Sequence, residues 1–325
     1  MNENRLLYLS QADVQAVGVT MAEVIQALET AFREKGEGRV EMPPKPGIHP
    51  GGGDNFIHAM PAYIPALQSA GVKWVSGFPE NHKRGLPYIT GLLIYNDVET
   101  GVPLAIMDCI WITAVRTGAA TAVAAKYLAR PESSVVGVLG CGVQGRTNLE
   151  ALNALFALER VMAYDLDAQT ARSYAEEMGA RLGLEVVVVD TPREAVSGCD
   201  LIVTAGPILK VPHATIQTGW MDEGTFASLV DFDSYWHPAA MAEADKFCTD
   251  DRAQLRYYES AGYFQEIPPV HADLGELVTG RQPGRVTSQE RTMTANLGLA
   301  LDDMAVAPLL YQKAIERNLG TWLPL

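Results

Sequence analysis

One glycine-rich turn constrains the fold of this chain more than any other feature. Gly140-x-Gly142-x-x-Gly145 directly follows the apolar segment 135–139, and a helical pattern begins at once. A dinucleotide site needs this order, because the first glycine permits a tight turn, the second lets the backbone approach a pyrophosphate, and the third lets helix and strand pack closely. The helix N-terminus then offers its N–H groups to the phosphates. The predicted cofactor contacts of this turn are Gly140, Gly142, Val143, Gln144 and Gly145.

An acid in the expected place supports a dinucleotide site. Asp165 ends the strand-like segment 160–165, about 20 residues beyond Gly145, where a carboxylate accepts hydrogen bonds from the adenosine ribose. That carboxylate would repel the extra 2′-phosphate of NADP, and residues 166–170 contain no Arg or Lys. The sequence therefore favours NAD over NADP as the cofactor. The alternative is that Asp165 only caps the helix that starts near Asp167.

Strand-like and helical segments alternate after the glycine turn. Helical patterns cover residues 168–182 and 192–197, and strand-like patterns cover residues 185–190, 201–205, 225–232 and, as an edge strand, 246–249. This alternation predicts an α/β fold with a Rossmann-type, doubly wound parallel sheet, whose ligands lie at the carboxyl ends of the strands. Thr204 and Ala205 fall at such an end, so we expect them to contact the cofactor.

The first 130 residues have a different pattern. Thr20 and Glu23 form a capping box at the start of a helix that ends at Gly36. Strand candidates follow at residues 71–76, 88–96 and 102–109, the last two joined by the turn 97–101. Because a short turn joins neighbouring strands, we expect an antiparallel sheet in this part of the chain.

Two further helical segments set the predicted domain organisation. An alanine-rich helix is predicted over residues 113–129, and a long helix with an apolar face over residues 296–317. We expect the second helix to pack on the first domain. The predicted domains are a discontinuous α+β substrate-binding and dimerisation domain of residues 1–128 and 297–325, and an NAD-binding Rossmann domain of residues 129–296.

Composition argues against several other classes of protein. The 39 acidic residues outnumber the 25 basic ones, for a net charge of −14, and no basic stretch offers a nucleic-acid surface. The N-terminal segment lacks a signal-peptide core and no apolar run reaches membrane-spanning length, so we expect a cytoplasmic protein without membrane contact. The four cysteines are far apart and the six histidines form no ligand pattern, so no metal site is predicted.

Three basic residues ahead of the glycine turn are candidates for holding a substrate carboxylate. A nicotinamide enzyme supplies position and charge, and an amino or imino acid needs a cation for its carboxylate. Lys73 interrupts the apolar pattern V-K-W-V, Arg116 lies in the apolar segment AVRTGAATA, and Lys45 lies in the loop 42–53, which is rich in proline and glycine. The alternatives are an outward-facing strand residue for Lys73, a surface charge for Arg116 and a solvated loop residue for Lys45.

A resemblance to the ornithine cyclodeaminase/mu-crystallin family covers nearly the whole chain. It lies in three segments, GVKWVSGFPENHKRGLPYITGLLIYNDVETGVPLAIMD, TAVRTGAATAVAAKYLARP and GVLGCGVQG. It implies a homodimer in which the substrate-domain sheets pair across the dimer, and a Rossmann domain that binds NAD(P). It further implies that Lys73 and Arg116 hold the substrate carboxylate, with Lys45 in the region of another carboxylate-binding cation. Thr117 is implied to contact a cofactor phosphate.

The resemblance also implies a catalytic acid. The cyclodeaminases of the family carry a catalytic Asp after the fifth Rossmann strand, and here the region 229–235 offers Asp231 or Asp233. Counting along the strand favours Asp233, whose carboxylate could orient or deprotonate a substrate amine or attract the charge of an iminium ion. The alternative is a loop acid or a helix cap before His237.

Three residues depart from the cyclodeaminase pattern. His58 stands where those enzymes have a substrate-facing Glu, and Tyr88 stands where a small hydroxyl residue is usual. Asn296 replaces the usual Ser near the nicotinamide, where an amide can still donate a hydrogen bond. The change at His58 argues against recognition of a distal amino group, and therefore against ornithine as the substrate.

These features favour an NAD-dependent oxidoreductase that acts on the C–N bond of a small amino or imino acid, as an imine or ketimine reductase or an amino-acid dehydrogenase. One alternative is an ornithine cyclodeaminase-type ammonia lyase that forms a cyclic amino acid with catalytic NAD. Another is a mu-crystallin-like protein that binds a ligand without turnover. Net consumption of NADH separates the first reaction from the second, in which ammonia leaves and the hydride returns.

Overall fold

A computed structural model describes residues 5–52 and 55–325 of the chain. Residues 1–4 and 53–54 lie outside the described residues. They include the start of the N-terminal segment in which no signal-peptide core was found, and Gly53, the last residue of the predicted loop 42–53. The strands are β1 (Arg5–Leu9), β2 (Gly47–Ile48), β3 (Phe56–Ile64), β4 (Ser69–Gly77), β5 (Ile89–Asn96), β6 (Pro103–Asp108), β7 (Val135–Leu139), β8 (Arg160–Tyr164), β9 (Glu185–Val188), β10 (Leu201–Thr204), β11 (Phe226–Leu229), β12 (Lys246–Thr249), β13 (Val270–Asp273), β14 (Thr292–Ala295) and β15 (Thr321–Pro324). The α-helices are α1 (Gln11–Ala16), α2 (Met21–Gly36), α3 (Ile110–Leu128), α4 (Val143–Asn153), α5 (Ala168–Leu182), α6 (Pro238–Met241), α7 (Arg252–Ser260), α8 (Leu274–Val278) and α9 (Ala300–Glu316).

The chain divides into two compact units, of which the first comprises Met1–Arg116 and Leu299–Leu325. Its seven-stranded sheet has the order β15-β1-β6-β5-β4-β3-β2. Neighbouring strands from β2 to β6 are antiparallel, whereas β1 runs parallel to β6, so the sheet is mixed. The helix α9 packs on α2, β3 and β4. Gly71 on β4 allows close approach of β5, because a Cβ there would lie 2.1 Å from the Ile94 carbonyl oxygen.

The second unit, Thr117–Gly298, contains an eight-stranded sheet of order β13-β12-β14-β11-β10-β7-β8-β9. Every neighbouring pair in this sheet is parallel, which confirms the predicted α/β fold with a Rossmann-type sheet. Four neighbouring strands of this sheet are buried along their whole length: β10, β11, β14 and β12. Strands buried on both faces read as continuous apolar runs, which explains why β10 was visible in the sequence.

Several local predictions hold and two are wrong. Thr20 and Glu23 form the predicted capping box of α2, which ends at Gly36 as expected, and α5 has its predicted bounds. The predicted helix over residues 192–197 is instead a series of turns, since so short a segment gains too few hydrogen bonds to offset helix nucleation. The strand β12 does not lie at the edge of the sheet but between β13 and β14, both of which were missed. The strand β3 was missed as well. No helix among the described residues has the length and apolar composition that a bilayer crossing requires.

Candidate active site

The glycine turn has the geometry of a dinucleotide site. Gly140 has φ of +100°, and a Cβ there would meet the Ala205 carbonyl oxygen at 2.5 Å, so only glycine fits the turn after β7. A Cβ at Gly142 would meet nothing within 4 Å, so open space adjoins the backbone where α4 begins. No side chain caps the N-terminus of α4, and its first N–H groups therefore suit a bound phosphate.

Asp165 follows β8 and supports the same turn. One carboxylate oxygen accepts a hydrogen bond from the Cys141 N–H at 2.8 Å, and the other accepts one from the Asp167 N–H at 3.0 Å. A carboxylate oxygen has a second lone pair, so Asp165 retains acceptors for ribose hydroxyl groups. The residue that caps α5 is Asp167, whose side chain accepts from the N–H groups of Gln169 and Thr170. Both the turn and the acid fit a dinucleotide.

Asp231 is a buried structural acid at the end of β11. Its carboxylate accepts hydrogen bonds from the Thr204 hydroxyl at 2.6 Å and from the Gly206 N–H at 3.2 Å. The Thr204 hydroxyl also accepts from the Trp236 indole N–H at 3.2 Å, so its side chain is committed to this network. Burial raises the pKa of Asp231 to about 7, although these hydrogen bonds oppose the shift. Asp231 thereby ties the loop after β11 to the residues after β10, which include Ala205.

Asp233 has different surroundings from Asp231. It is 5% exposed, and its Oδ1 atom has no hydrogen-bond partner in the described part of the chain. Burial raises its pKa, against hydrogen bonds from the backbone N–H groups of Asp233 and Phe264. It lines a cavity of about 460 Å³ together with Lys210, Trp236 and Phe264. Of the two candidate acids, Asp233 is therefore the one with an oxygen left for a ligand.

Asn296 follows β14 and is almost fully buried. Its Oδ1 atom accepts a hydrogen bond from the Thr294 hydroxyl at 2.8 Å, while its Nδ2 atom has no partner among residues 5–52 and 55–325. A buried amide N–H without a partner is costly, so a ligand acceptor is the natural complement. Thr117 is the first residue of the second unit and is buried in α3.

Lys73 is fully buried on β4 and does not face outward. Both carboxylate oxygens of Asp303 lie 2.7 Å from Lys73 Nζ, and the Thr113 hydroxyl lies at 3.4 Å. Burial lowers the pKa of Lys73 to about 8, and the charge of Asp303 opposes this shift. An ammonium has three N–H donors, so these contacts with described residues leave one for a ligand.

Arg116 on α3 shares one acid, Asp303, with Lys73. Its Nε atom lies 3.4 Å from Asp303 Oδ1, and its Nη1 atom lies 3.5 Å from Asp302 Oδ2. The Nη2 atom makes no hydrogen bond or ion pair with the described residues. Lys73 and Arg116 are more than 40 residues apart in the sequence, and the structure brings them together on Asp303. The contact of Lys73 with Thr113 also joins β4 to α3.

Sequence reasoning missed Asp302 and Asp303. Both are fully buried in the first turn of α9, and the Asp302 carboxylate accepts a hydrogen bond from the Leu299 N–H at 2.9 Å. Burial raises the pKa of Asp302 to about 6, with the Arg116 charge opposing the shift. Two successive acids in an otherwise apolar helix were the available signal, because buried acids need partners.

The remaining predicted substrate contacts also lie in the first unit. Lys45 is 7% exposed, and His58 on β3 stacks on Phe56 with a ring separation of 4.5 Å. Burial, followed by the charges of Lys45, His49 and Lys73, lowers the pKa of His58 to about 3, so His58 is neutral near pH 7. Tyr88 precedes β5 and is exposed. No group of three or more metal-binding side chains is found where the structure is described.

Comparisons with known proteins agree with this geometry. The sequence model of the ornithine cyclodeaminase/mu-crystallin family matches residues 6–318. An alanine dehydrogenase of Archaeoglobus fulgidus is 37% identical over 327 residues, which cover 97% of each chain. The solved Δ1-pyrroline-2-carboxylate reductase of Thermococcus litoralis, in complex with NADH and L-proline, is 34% identical with a TM-score of 0.87, covering 97% of this chain and 99% of that one. An archaeal alanine dehydrogenase dimer with bound NAD is also 34% identical, with a TM-score of 0.87 over 98% of this chain and 99% of that one.

Proposed function

This chain belongs to the ornithine cyclodeaminase/mu-crystallin family, and from that premise we propose that it is an NAD-dependent oxidoreductase acting on the C–N bond of a small amino or imino acid. The named activities of its relatives support this class of reaction, since they include an alanine dehydrogenase and a reductase of a cyclic imino acid. The substrate is an α-amino acid in one direction and the corresponding imine in the other.

One observation carries the proposal: Asp303 joins the buried Lys73 ammonium to the Arg116 guanidinium. Buried cations are costly unless they are paired, and Asp302 and Asp303 pair with these two without using all of their N–H donors. Lys73 retains one N–H and Arg116 retains its Nη2 group for that anion. A planar carboxylate matches this pair of donors, so we assign the substrate carboxylate to Lys73 and Arg116.

The second unit supplies the site for the cofactor. The backbone at Gly142 and the N-terminus of α4 would hold the pyrophosphate, Asp165 the adenosine ribose, and the Asn296 amide a carbonyl of the nicotinamide. Thr117, Val143, Gln144 and the backbone of residues 204–205 are the further proposed contacts. When bound, NADH supplies the hydride.

Asp233 is the proposed proton-handling group. Its raised pKa and unpartnered Oδ1 atom suit a carboxyl group that gives a proton to the imine nitrogen and accepts one from the amine in the reverse direction. Cyclodeamination of a diamino acid is disfavoured, because the neutral His58 provides no negative charge for a distal ammonium.

We also propose a homodimer formed through the sheet of the first unit. Trp74 and Leu92 are register partners on β4 and β5, and they are 50% and 44% exposed. Large apolar side chains that adjoin on one sheet face mark an interaction surface. One of the solved relatives is a dimer, which supports a second copy of this chain as the partner.

The decisive experiment follows NADH absorbance and ammonia together. The panel contains pyruvate with ammonia, Δ1-pyrroline-2-carboxylate and ornithine. Oxidation of NADH with one of the first two substrates is expected, whereas ammonia release from ornithine without net change in NADH would contradict the proposal. Tight binding of small molecules without any turnover would instead make the protein a ligand carrier. Gly142→Val serves as the control, because its side chain fills the open space at the turn and should abolish NADH binding.

A further inference from the structure

Asp303 is the only described acid that contacts both cations of the carboxylate site. We propose that Asp303 is the positioning residue of this site: it holds the Lys73 ammonium and the Arg116 guanidinium in one fixed arrangement and keeps Lys73 protonated. This inference rests on the proposed function, which assigns the substrate carboxylate to Lys73 and Arg116. Asp303 itself touches neither the substrate nor the cofactor in this scheme, so it acts through its two partners.

The contacts of Asp303 are selective. Its carboxylate lies 2.7 Å from Lys73 Nζ and 3.4 Å from Arg116 Nε, and none of the other described residues forms an ion pair with it. The Lys73 and Asp303 side chains are 1% and 0% exposed, so the ion pair is shielded from bulk water. Lysine has a flexible four-carbon stem, and this ion pair removes most of its freedom before a ligand arrives.

The neighbouring acid has a different role. Asp302 accepts the Leu299 N–H as part of the cap of α9 and contacts only Arg116, at 3.5 Å. Successive residues of a helix point about 100° apart, which explains why the two acids meet different partners. Asp302 is as buried as Asp303, lies on the same helix turn and carries the same charge. Asp302→Asn is therefore a matched control for Asp303→Asn.

The charges around Lys73 determine how its pKa should change when Asp303 is replaced. Asp303 on α9 favours the charged ammonium, whereas Arg116 on α3 and burial disfavour it. The Cys109 thiol before α3 has a pKa raised to about 11 and stays neutral near pH 8, and on β3 His58 is neutral as well. Lys45, in the loop before β2, is a further cation near His58. Asp303 is therefore the main group that keeps Lys73 charged, and without it the pKa of Lys73 should fall further below about 8.

The test compares Asp303→Asn, Asp302→Asn and Asp303→Glu in the full-length protein. The first readout is kcat/KM against pH, whose alkaline limb reports loss of the Lys73 proton in the free enzyme. The second is the pH dependence of pyruvate binding by calorimetric titration, which needs no turnover. Thermal unfolding of each variant shows whether it is folded.

For Asp303→Asn, we expect the alkaline limb of both profiles to move by at least about one pH unit to lower pH, which weakens pyruvate binding about fivefold at pH 8 and about tenfold at higher pH. The limb of Asp302→Asn should move much less, because Asp302 makes no ion pair with Lys73. An unchanged limb in folded Asp303→Asn, or an equal shift in both variants, overturns the proposal.

Asp303→Glu covers the case in which Asp303→Asn fails to fold. It keeps the charge but lengthens the side chain, so the alkaline limb should stay in place while kcat falls at least about tenfold through misplacement of Lys73. A wild-type kcat, or a shifted limb, in Asp303→Glu contradicts a positioning role. If the wild type turns over no imino acid, the proposed function fails on its own, while pyruvate binding still decides the role of Asp303.

Discussion

The Asp165 carboxylate accepts a hydrogen bond from the backbone N–H of Cys141 at 2.8 Å, so the acid of the proposed ribose site also braces the glycine turn. Asp165→Ser should therefore have two effects. Removing the charge lessens repulsion of a 2′-phosphate and removes a charged acceptor for the ribose of NADH. Because one hydrogen bond to a charged group contributes about 1.5–3 kcal/mol, the preference for NADPH relative to NADH should rise at least about tenfold. Losing the Cys141 contact should weaken binding of both nucleotides.

Asp165→Asn separates these effects. The amide oxygen can still accept from Cys141, so this contact of the turn should persist while the charge is gone, and only the contact with the Asp167 N–H is lost. Kinetic constants with NADH and NADPH for the two variants provide the measurement. A ratio that is unchanged in both variants would remove the reason for preferring NAD.

Lys73→Met should damage turnover far more than cofactor binding. The substitution removes one cation from the carboxylate site, and loss of a charge-assisted hydrogen bond of about 1.5–3 kcal/mol should lower kcat/KM about tenfold to a hundredfold or more. It also leaves Asp303 with only the longer Arg116 contact, which should destabilise the fold by up to about 3–5 kcal/mol. Steady-state kinetics, NADH titration by fluorescence and chemical unfolding measure the three quantities.

The control for this variant is Lys83→Met. Lys83 lies in the same unit, but its side chain is 63% exposed and pairs with Glu80 at the surface. Such a pair contributes little to stability, so kinetics and unfolding should match the wild type. Normal kinetics of Lys73→Met would refute the role assigned to Lys73.

The sequence revealed those parts of the fold and site that depend on local chemistry. The glycine turn after β7, the capping box of α2 and the carboxylate after β8 each follow from a few consecutive residues. Lys73 was conspicuous because a lysine inside an apolar strand pattern must be either exposed or paired. These features require no knowledge of distant contacts.

The parts that the sequence did not reveal depend on long-range pairing. β14 is only four residues long, and its buried Thr292 donates its hydroxyl hydrogen bond to the distant Leu128 carbonyl at 2.7 Å. Nothing near Thr292 in the sequence indicates that partner. Likewise, the acid that pairs with Lys73 lies 230 residues away in the chain, so no local pattern connects them.

Asp233→Asn should lower turnover while the protein stays folded. Its Oδ1 atom has no hydrogen-bond partner in the described structure, so the amide replaces no existing contact of that atom but cannot give or take the proton. A general acid or base typically contributes about 10²–10⁴-fold, and a loss in kcat of that size is expected. If Asp231→Asn lowers kcat equally without a change in unfolding, the proton-handling acid is Asp231.

Asp231 should make the stability of the protein depend on pH. Its pKa in the folded state is about 7, above the ordinary value of 3.8, so its contribution is fully present below about pH 4 and is lost as the pH rises through about 7. In Asp231→Asn this group cannot ionise, so the free energy of unfolding should fall less between pH 4 and pH 7. Urea unfolding across this range measures the slope; Asp302, with a pKa of about 6, adds to the part that remains, whereas His58, with a pKa of about 3, opposes it. Equal slopes for variant and wild type would show that Asp231 is ionised throughout.

Trp74→Glu should dissociate the proposed dimer without harming the carboxylate site. Successive side chains of a strand point to opposite faces, so Trp74 is exposed while its neighbour Lys73 is buried on the side that meets α9. A charge at the centre of an apolar interface costs about 2 kcal/mol or more, which weakens dimerisation about thirtyfold or more. Size-exclusion chromatography with light scattering over a range of protein concentrations measures this change. The control is Tyr257→Glu, since Tyr257 is 40% exposed on α7 of the other unit and lies outside the proposed interface. A dimer that survives Trp74→Glu with wild-type affinity means that Trp74 and Leu92 do not form its interface.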